Sequence, residues 1–200
     1  GAATGSFTTS GVSIDTRTLK KGDLYIALKG DTLDGHAFVE AAFKTGASGA
    51  IVEKSFKPIS DHPLIAVDDT LAALEKLGVA SRARSTARII AVTGSAGKTG
   101  TKEMLSIAFR ALGKTHASEK SYNNHWGVPL TLANMPKDTV YGIFEMGMNH
   151  AGEIEKLTRE VKPHIAIITT IEPVHIEHFA SAEDIADAKA EIFSSMDKDG

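Results

Sequence analysis

The segment that most constrains the fold is a glycine-rich run that directly follows a short apolar stretch. The run reads TGSAGKTGTK over residues 93–102, and the apolar stretch reads IIAV over residues 89–92. A buried strand that turns through glycines into a helix directs several backbone N–H groups, together with the positive end of the helix dipole, at one point. We therefore predict that residues 88–112 form a strand, a phosphate-binding loop and a helix in that order.

Two side chains of this loop carry groups that suit a nucleotide phosphate. Lys98 supplies a mobile positive charge for the outer phosphates, and the Thr99 hydroxyl is placed to hold a magnesium ion. The common pattern G-x-x-x-x-G-K-S/T has glycine where this chain has Val92, so a tight turn with an exposed lysine stays open as an alternative at this point. The residues predicted to bind the nucleotide are Gly94, Ser95, Ala96, Gly97, Lys98, Thr99 and Gly100.

The composition is that of an ordinary globular chain. Among its 200 residues, 42% are hydrophobic, which is enough for a packed core in one or two domains. The net charge is -3 without a dense basic tract, so we predict no nucleic-acid partner. The absence of cysteine excludes disulfides, thiolate metal sites and cysteine nucleophiles. No apolar run approaches the roughly 18 residues that span a bilayer, so we predict a cytoplasmic protein without membrane insertion.

The order of the predicted elements divides the chain into two domains. Residues 1–82 mix short strands with two helices, which indicates a small α/β module. Residues 83–200 alternate strands and helices in the manner of a doubly wound, mostly parallel sheet. Both ends have the composition of turns, so we expect the chain to be part of a longer protein. The predicted strands cover residues 12–14, 24–28, 50–52, 64–67, 88–92, 114–117, 140–145 and 164–170, and the predicted helices cover residues 36–45, 71–78, 98–112, 125–133, 153–160 and 182–196.

Three further side chains follow the strands of the second domain, and catalytic groups on such a sheet lie at the carboxyl ends of its strands. Glu145 ends one predicted strand, so its carboxylate suits a magnesium ligand beside Thr99, although a turn or helix-capping acid fits equally well. His175 follows the last predicted strand, and Lys189 lies near the edge of an apolar helix stripe. Taken alone they suit a surface histidine and a solvated lysine, but a lysine there with a lowered pKa could react as the neutral amine.

Several polar clusters fit either a ligand or a turn. Asn123 and Asn124 occupy a loop after a predicted strand, where asparagine commonly forms turns. In the first domain, the clusters at residues 15–17, 29–31 and 34–36 either bind a ligand or close hairpins. Composition does not choose between these alternatives.

Four ordered segments and the first domain together resemble one known family. The segments are residues 92–99, 122–132, 145–154, and His175 with the later run 188–192. They resemble the ATP-dependent Mur ligases. The combination of N-N-x-x-G-x-P-L-T-L with E-x-G-x-N-H-x-G-E-I is most similar to the branch that joins D-Ala-D-Ala to UDP-MurNAc-tripeptide in peptidoglycan precursor synthesis. Residues 15–17, 22–28 and 34–38 resemble the uridine-nucleotide-binding domain of that family.

The resemblance implies a chemistry and a set of roles. The γ-phosphate of ATP would activate a substrate carboxylate as an acyl phosphate, which the amine of the dipeptide attacks. By this resemblance Lys98 neutralises phosphate oxygens, and Thr99 and Glu145 hold one magnesium ion. His175 and a carbamylated Lys189 would help to place a second magnesium ion. Lys98, Lys189 and His175 are thus the expected catalytic residues, and ATP with two magnesium ions are the expected cofactors.

The same resemblance implies a set of substrate-binding residues and a monomeric chain. Gly100 and the segment 169–172 depart from the pattern of the family, and the second departure puts a substrate contact at position 170 in doubt. The expected substrate-binding residues are Asp15, Thr16, Arg17, Asp34, His36, Asn123, Asn124, Asn149 and His150.

Ligases of this family continue beyond the matching segments into an adenine-contacting region and a third domain that closes over the site. We therefore expect these 200 residues alone to bind nucleotide weakly and not to turn over. Three other functions stay open: an amino-acid-adding Mur ligase or folylpolyglutamate synthetase, a P-loop kinase or nucleotide switch, and a non-catalytic nucleotide-binding module.

Overall fold

The computed structural model describes residues 2–59, 61–173, 179, 181–198 and 200. The chain folds as two compact units, Gly1–Leu77 and Gly78–Gly200. The division falls inside a helix, α2 (Thr70–Ala83), which extends five residues beyond the end predicted at residue 78. It extends because its polar last turn has buried partners within the second unit: Ser81 Oγ donates to the Met135 carbonyl, and Arg82 Nε donates to the Val161 carbonyl at 2.7 Å.

The first unit is built on a five-stranded sheet. Its strands lie in the order β1-β5-β4-β3-β2, and only β1 runs antiparallel to its neighbour. A helix, α1 (Val39–Thr45), follows a 3-10 turn at Gly35–Phe38, and Gly46 caps its carboxyl end with a left-handed φ of 112°. The strands are β1 (Ala2–Thr4), β2 (Gly11–Ser13), β3 (Asp23–Ile26), β4 (Gly49–Glu53) and β5 (Leu64–Val67).

The second unit contains a four-stranded sheet in the order β7-β8-β6-β9, with all strands parallel. The predicted α/β class, with a parallel sheet in the second half, is confirmed. Parallel strands need crossover connections, and helices supply them. The strands are β6 (Arg88–Thr93), β7 (Thr115–Ala117), β8 (Tyr141–Glu145) and β9 (Ile165–Ile168), and the helices are α3 (Lys98–Arg110), α4 (Gly127–Ala133), α5 (Glu153–Val161) and α6 (Ala182–Ala190).

Residues 89–92 of the central strand β6 are continuously apolar because both faces of the strand are buried. Ile89 and Ala91 face a core that includes residues of α4, α5 and α6, while Ile90 and Val92 face a second core with Leu105 of α3. Residues 89–92 are covered on both faces and have no solvent side, so all four are hydrophobic. The carboxyl ends of β6, β8 and β9 therefore meet at one edge of a rigid sheet.

Two elements at this edge differ from their predicted lengths. Strand β9 ends at Ile168, because Thr169 turns its side chain toward the loop after β6 and donates to the Thr93 carbonyl. Helix α6 ends at Ala190 and passes into a 3-10 turn at Glu191–Phe193. Its predicted start is confirmed, because the Ser181 hydroxyl accepts from the Asp184 N–H at 3.1 Å. No helix in the described part of the chain is long and apolar enough to cross a bilayer.

Candidate functional site

The glycine-rich run forms a strand-to-helix turn between β6 and α3. Two of its glycines have conformations that other residues rarely adopt: Gly94 has φ 144°, and Gly97, which precedes the first residue of α3, has φ 79°. A Cβ atom at Gly94 would overlap the Thr169 hydroxyl. The turn therefore depends on these glycines, and it leaves the first N–H groups of α3 without partners inside the helix.

The Lys98 side chain folds back across this loop. Its Nζ atom donates to the Gly94 carbonyl at 2.7 Å and lies 3.5 Å from the Ser95 carbonyl. The ammonium is thus held beside the residues predicted to contact phosphate. In this position the ammonium is bonded to carbonyl oxygens of the loop. A bound phosphate would replace these carbonyls with anionic partners.

A second segment, residues 169–172, fastens the loop from the β9 side. The Thr169 hydroxyl donates to the Ala96 carbonyl at 2.5 Å, and the Ser95 N–H donates to the Thr170 carbonyl at 2.8 Å. Ser95 Oγ also donates to the Glu172 carbonyl at 3.0 Å and accepts from the Glu172 N–H at 2.8 Å. The sequence shows this segment as a departure from a family pattern but does not predict its contacts with the loop; its hydroxyl-rich start directly after a strand was the available signal.

Glu145 lies at the end of β8 beside the start of α3. Its Oε2 atom accepts from the Thr99 hydroxyl at 2.9 Å, and its Oε1 atom accepts from Asn123 Nδ2 at 2.8 Å. The residue is only 1% exposed, and within the described residues no basic side chain forms an ion pair with it. A buried carboxylate held by two neutral donors leaves negative charge uncompensated, which is costly unless a cation binds there.

The donor set around Glu145 fits magnesium. Magnesium prefers hard oxygen ligands, usually one or two protein groups together with substrate phosphates and water. The Thr99 hydroxyl and the Glu145 carboxylate are such groups, and they stand next to the predicted phosphate loop. Among the residues that the structure describes, no cluster of three or more histidine and acidic side chains could hold a metal without such help.

Lys189 is buried on α6 rather than solvated, with 3% of its surface exposed. Burial, together with the smaller effect of the Lys98 charge, lowers the pKa of its ammonium from 10.5 to about 8. The sequence placed Lys189 near the edge of an apolar stripe, and its neighbours Ile185 and Ala188 are indeed in the core. The amine is therefore available in its neutral form at mildly alkaline pH.

Seven of the predicted site residues line one cavity of about 430 Å³. The loop contributes Gly94 and Ser95 to its wall, and residues of α5 line it as well. Cationic side chains, loop backbone and amide groups thus face the same space, which suits an anionic ligand of nucleotide size. The seven predicted residues are Gly94, Ser95, Lys98, Asn123, Asn124, Asn149 and Lys189.

The asparagine and histidine residues near this cavity also have structural partners. The Asn124 side-chain oxygen accepts from the N–H groups of Trp126 and Gly127, where α4 begins, so the predicted turn role is present. The Asn149 N–H donates to Glu153 Oε2 at 2.7 Å, and His150 Nδ1 lies 3.2 Å from Glu153 Oε1. These bonds fix the loop that carries Asn149 and His150.

Glu191 connects this loop to the helix of Lys189. Its two carboxylate oxygens accept from the N–H groups of Gly152 and Glu155, at 2.6 and 3.0 Å. A carboxylate at the amino end of α5 satisfies orphan donors and interacts favourably with the helix dipole. Nothing in the local sequence pattern indicated this contact, because the cap comes from a distant residue rather than from the helix itself.

In the first unit, the predicted binding residues form local turns. The Asp15 carboxylate accepts from the backbone N–H and the guanidinium of Arg17, and Thr16 between them is partly exposed. Asp34 and Lys29 form an isolated antiparallel bridge, so this cluster forms a turn. The backbone N–H of His36 donates to the Asp34 carboxylate, and the His36 side chain also contacts it. Both contacts lower the pKa of that carboxyl group, and the backbone contact has the larger effect.

Both ring nitrogens of His36 are engaged within the first unit. Nδ1 lies 2.6 Å from Asp34 Oδ1, and Nε2 accepts from the Glu53 N–H at 2.9 Å. Since Nε2 accepts, the proton of the neutral ring is on Nδ1. The remaining predicted residue, His175, lies outside the described residues.

Two family descriptions match the chain. Residues 8–110 match the Mur ligase family, catalytic domain, and residues 92–200 match the Mur ligase middle domain. The second match covers more than half of the chain. The two matches overlap at residues 92–110, which include the glycine-rich loop.

Curated relatives and solved structures agree with these matches. UDP-N-acetylmuramoyl-tripeptide–D-alanyl-D-alanine ligases of Rickettsia prowazekii and Bacillus subtilis are 43% and 42% identical over 94% and 95% of this chain. The match covers 41% and 42% of those proteins, so the chain spans about two fifths of their length. MurF from Acinetobacter baumannii superposes with a TM-score of 0.84 at 36% identity, over 94% of this chain and 42% of that one.

A fourth relative is the MurF ligase of Thermotoga maritima, whose structure was solved in complex with ADP. It superposes with a TM-score of 0.81 at 28% identity, over 95% of this chain and 44% of that chain. The family resemblance of the sequence motifs is therefore confirmed, and this chain belongs to the Mur ligase family.

Proposed function

We propose that this chain supplies the ATP-phosphate site of a ligase that joins D-Ala-D-Ala to UDP-MurNAc-tripeptide. The observation that carries the proposal is the contact of the buried Glu145 carboxylate with the half-buried Thr99 hydroxyl at the phosphate loop, beside a cavity that Lys98 and Lys189 line. The names of the relatives and the ADP bound to the Thermotoga maritima ligase support the choice of substrates. The reaction belongs to peptidoglycan precursor synthesis, and we place the protein in the cytoplasm as a monomer.

The proposed reaction has two steps. The substrate carboxylate attacks the γ-phosphorus of ATP, so that ADP leaves and an acyl phosphate forms. The dipeptide amine then attacks the acyl carbon, loses a proton, and expels inorganic phosphate as the peptide bond forms. Neither step needs a protein nucleophile, because phosphoryl transfer depends mainly on positioning and on cations around the oxygens.

The residues of this chain would supply that charge and positioning. Lys98 would exchange the Gly94 carbonyl for the outer phosphate oxygens, while the N–H groups at the start of α3 contact the inner ones. Thr99 and Glu145 would hold a magnesium ion that neutralises charge on the phosphates. Asn123, which donates to Glu145, keeps the carboxylate in place for that ion.

We propose a second role for Lys189, as a carbamate. The neutral amine attacks carbon dioxide and loses a proton, which converts a cation into an anionic oxygen ligand for a second magnesium ion with His175. The lowered pKa of Lys189 and its place in the cavity support this step. Carbon-13 NMR of the protein in labelled bicarbonate should show a carbamate signal that Lys189→Ala removes; an unchanged spectrum would eliminate the modification.

The first unit is proposed to bind the uridine nucleotide of the substrate. Asp15, Thr16, Arg17, Asp34 and His36 stay predictions in this role. Hydrogen bonds between residues of the chain itself hold both turns in shape. Preformed turns reduce the ordering cost of binding.

Phosphate release by the full-length ligase that contains this chain tests the whole proposal. Release should require ATP, magnesium, UDP-MurNAc-tripeptide and D-Ala-D-Ala together, and single amino acids should not replace the dipeptide. Release with a single amino acid would instead indicate an amino-acid-adding ligase. ATP hydrolysis or transfer that ignores both substrates would favour a kinase or a nucleotide switch.

A further inference from the structure

Lys102 is a buried charge for which the proposed reaction has no direct use. It is 0% exposed and lies on α3, three residues after Thr99. Residues three apart lie on the same helix face, so Lys102 stands one turn behind the hydroxyl that contacts Glu145. A lysine is rarely buried completely unless each of its three donors has a partner.

All three donors of Lys102 have acceptors. Nζ donates to the carbonyls of Ser118 and Lys120, both at 2.8 Å, and it lies 2.8 Å from the carboxylate of Glu103. The two carbonyls belong to the segment that follows β7, in which Lys120 adopts a left-handed φ of 50°. The ammonium therefore holds together a backbone turn that has no regular secondary structure to stabilise it.

This turn leads to the residues that hold Glu145. Ser118 Oγ accepts from the Glu145 N–H at 3.3 Å. Five residues after Ser118, Asn123 donates to Glu145 Oε1 at 2.8 Å, and its carbonyl accepts from the Gly147 N–H, also at 2.8 Å. Side chains of the segment 118–123 thus contact both the backbone N–H and the carboxylate of Glu145. Lys102 fixes the start of that segment.

We propose that Lys102 is a positioning residue for the magnesium site: it anchors residues 118–120 so that Asn123 holds the Glu145 carboxylate toward Thr99. This role rests on the proposed ATP-magnesium function of the Glu145–Thr99 pair. Lys102 itself is fully enclosed and acts through the segment, not on a ligand. Partners that orient a metal ligand typically change metal affinity by about 10- to 100-fold when they are removed.

The test measures ADP binding by calorimetry, with and without magnesium, for the 200-residue chain and its variants. In Lys102→Met, the increase in ADP affinity that magnesium produces should fall by about tenfold or more. Binding of ADP without metal should stay within about twofold, because the loop backbone and Lys98 are unchanged. Lys114→Met, which removes an exposed lysine paired with Asp138, is the matched control and should behave like the unaltered chain.

Two further measurements keep the role falsifiable. Amide hydrogen exchange without metal should speed up at Asn123 and Gly147 in Lys102→Met, but not in Lys114→Met. In an Asn123→Ala background, Lys102→Met should cause little additional loss of the magnesium effect, because both changes act on the same contact. If Lys102→Met fails to fold, Lys102→Gln, which keeps a donor without the charge, replaces it in each measurement.

The outcomes separate the two proposals. If the unaltered chain binds ADP with no magnesium effect, the proposed metal site fails, while hydrogen exchange still tests the anchoring by Lys102. If magnesium strengthens ADP binding equally in Lys102→Met and the unaltered chain, the positioning role is wrong. An equal loss of metal-free and magnesium-dependent binding would show that Lys102 only stabilises the fold, and it would also overturn the proposal.

Discussion

The Thr99 hydroxyl donates to Glu145 Oε2 across 2.9 Å, which joins the first turn of α3 to the last residue of β8. The two residues are 46 positions apart in the chain, and the parallel pairing of β6 with β8 brings them together. This contact places a carboxylate and a hydroxyl at the side of a phosphate loop. It therefore supplies the most direct tests of the site.

Replacing Glu145 with glutamine should separate stability from metal binding. Glu145→Gln keeps the shape of the side chain but removes a buried charge that has no cationic partner within the described residues. We expect the metal-free chain to gain about 1 kcal/mol of unfolding free energy in urea titrations. The strengthening of ADP binding by magnesium should fall by about tenfold or more. A variant that loses stability and keeps the full magnesium effect would contradict the assignment.

The buried Lys189 should make stability depend on pH. Its pKa is about 8 in the folded chain and 10.5 when unperturbed, so the unfolded state binds more protons between these values. The unfolding free energy should therefore rise as the pH increases from about 8 to 10.5, by about 3 kcal/mol at most. Lys189→Met removes this contribution, and the difference between the two urea-titration curves isolates it. A constant difference across this pH range would mean that the lysine is not desolvated.

Two glycines of the phosphate loop should respond in opposite directions to alanine. Gly94→Ala forces a Cβ into the Thr169 hydroxyl at a positive φ and should cost about 1–3 kcal/mol, with weaker ADP binding. Gly100→Ala lies inside α3, with no neighbouring atom within 4 Å of its Cβ, and should stabilise the chain by about 0.5–1 kcal/mol. Thermal unfolding of both variants checks the pair. Equal effects would show that the loop geometry is not glycine-dependent.

The contacts that residues 169–172 make with the phosphate loop should also affect its stability and its ligand binding. Thr169→Val keeps the shape of the side chain but removes the hydroxyl, which donates to the Ala96 carbonyl at 2.5 Å and lies 3.2 Å from the Thr93 carbonyl. We expect a loss of about 1 kcal/mol in stability and a several-fold weaker metal-free ADP affinity. Thr170→Val, whose hydroxyl contacts Glu172 instead, is the control. Unchanged ADP affinity in Thr169→Val would show that the loop holds its shape without this hydroxyl.

The elements of the second unit could be predicted because their signals are local. Residues 89–92 are apolar without interruption, and Ser181 stands three residues before Asp184, so a buried strand and a helix start are visible in the letters alone. Strand β1 carries no such signal, because its residues, Ala2–Thr4, form a strand only through pairing with β5. The last turn of α2 was missed for a similar reason, since the partners of Ser81 and Arg82 lie far along the chain.

The candidate site shows the same division. Lys98, Thr99 and Glu145 follow from the rule that parallel strands present their carboxyl ends at one edge. Lys102 and Glu191 could not be recognised in advance, because a lysine or a glutamate on a helix usually faces solvent. Their roles depend on segments that pack against them from elsewhere in the chain. Lys102 donates to backbone carbonyls of residues 118–120, and Glu191 accepts from backbone N–H groups at the start of α5.

Because the Lys98 side chain folds back onto the loop, a ligand must displace existing hydrogen bonds before it can bind to the ammonium. Its ammonium already has carbonyl oxygens as partners, so an incoming anion must compete with these carbonyls for the ammonium. A multiply charged phosphate chain repays the loss of these bonds with charge-assisted ones, whereas a single carboxylate repays much less. We therefore expect the loop to bind a polyphosphate more tightly than a singly charged ligand, before any base or sugar is recognised.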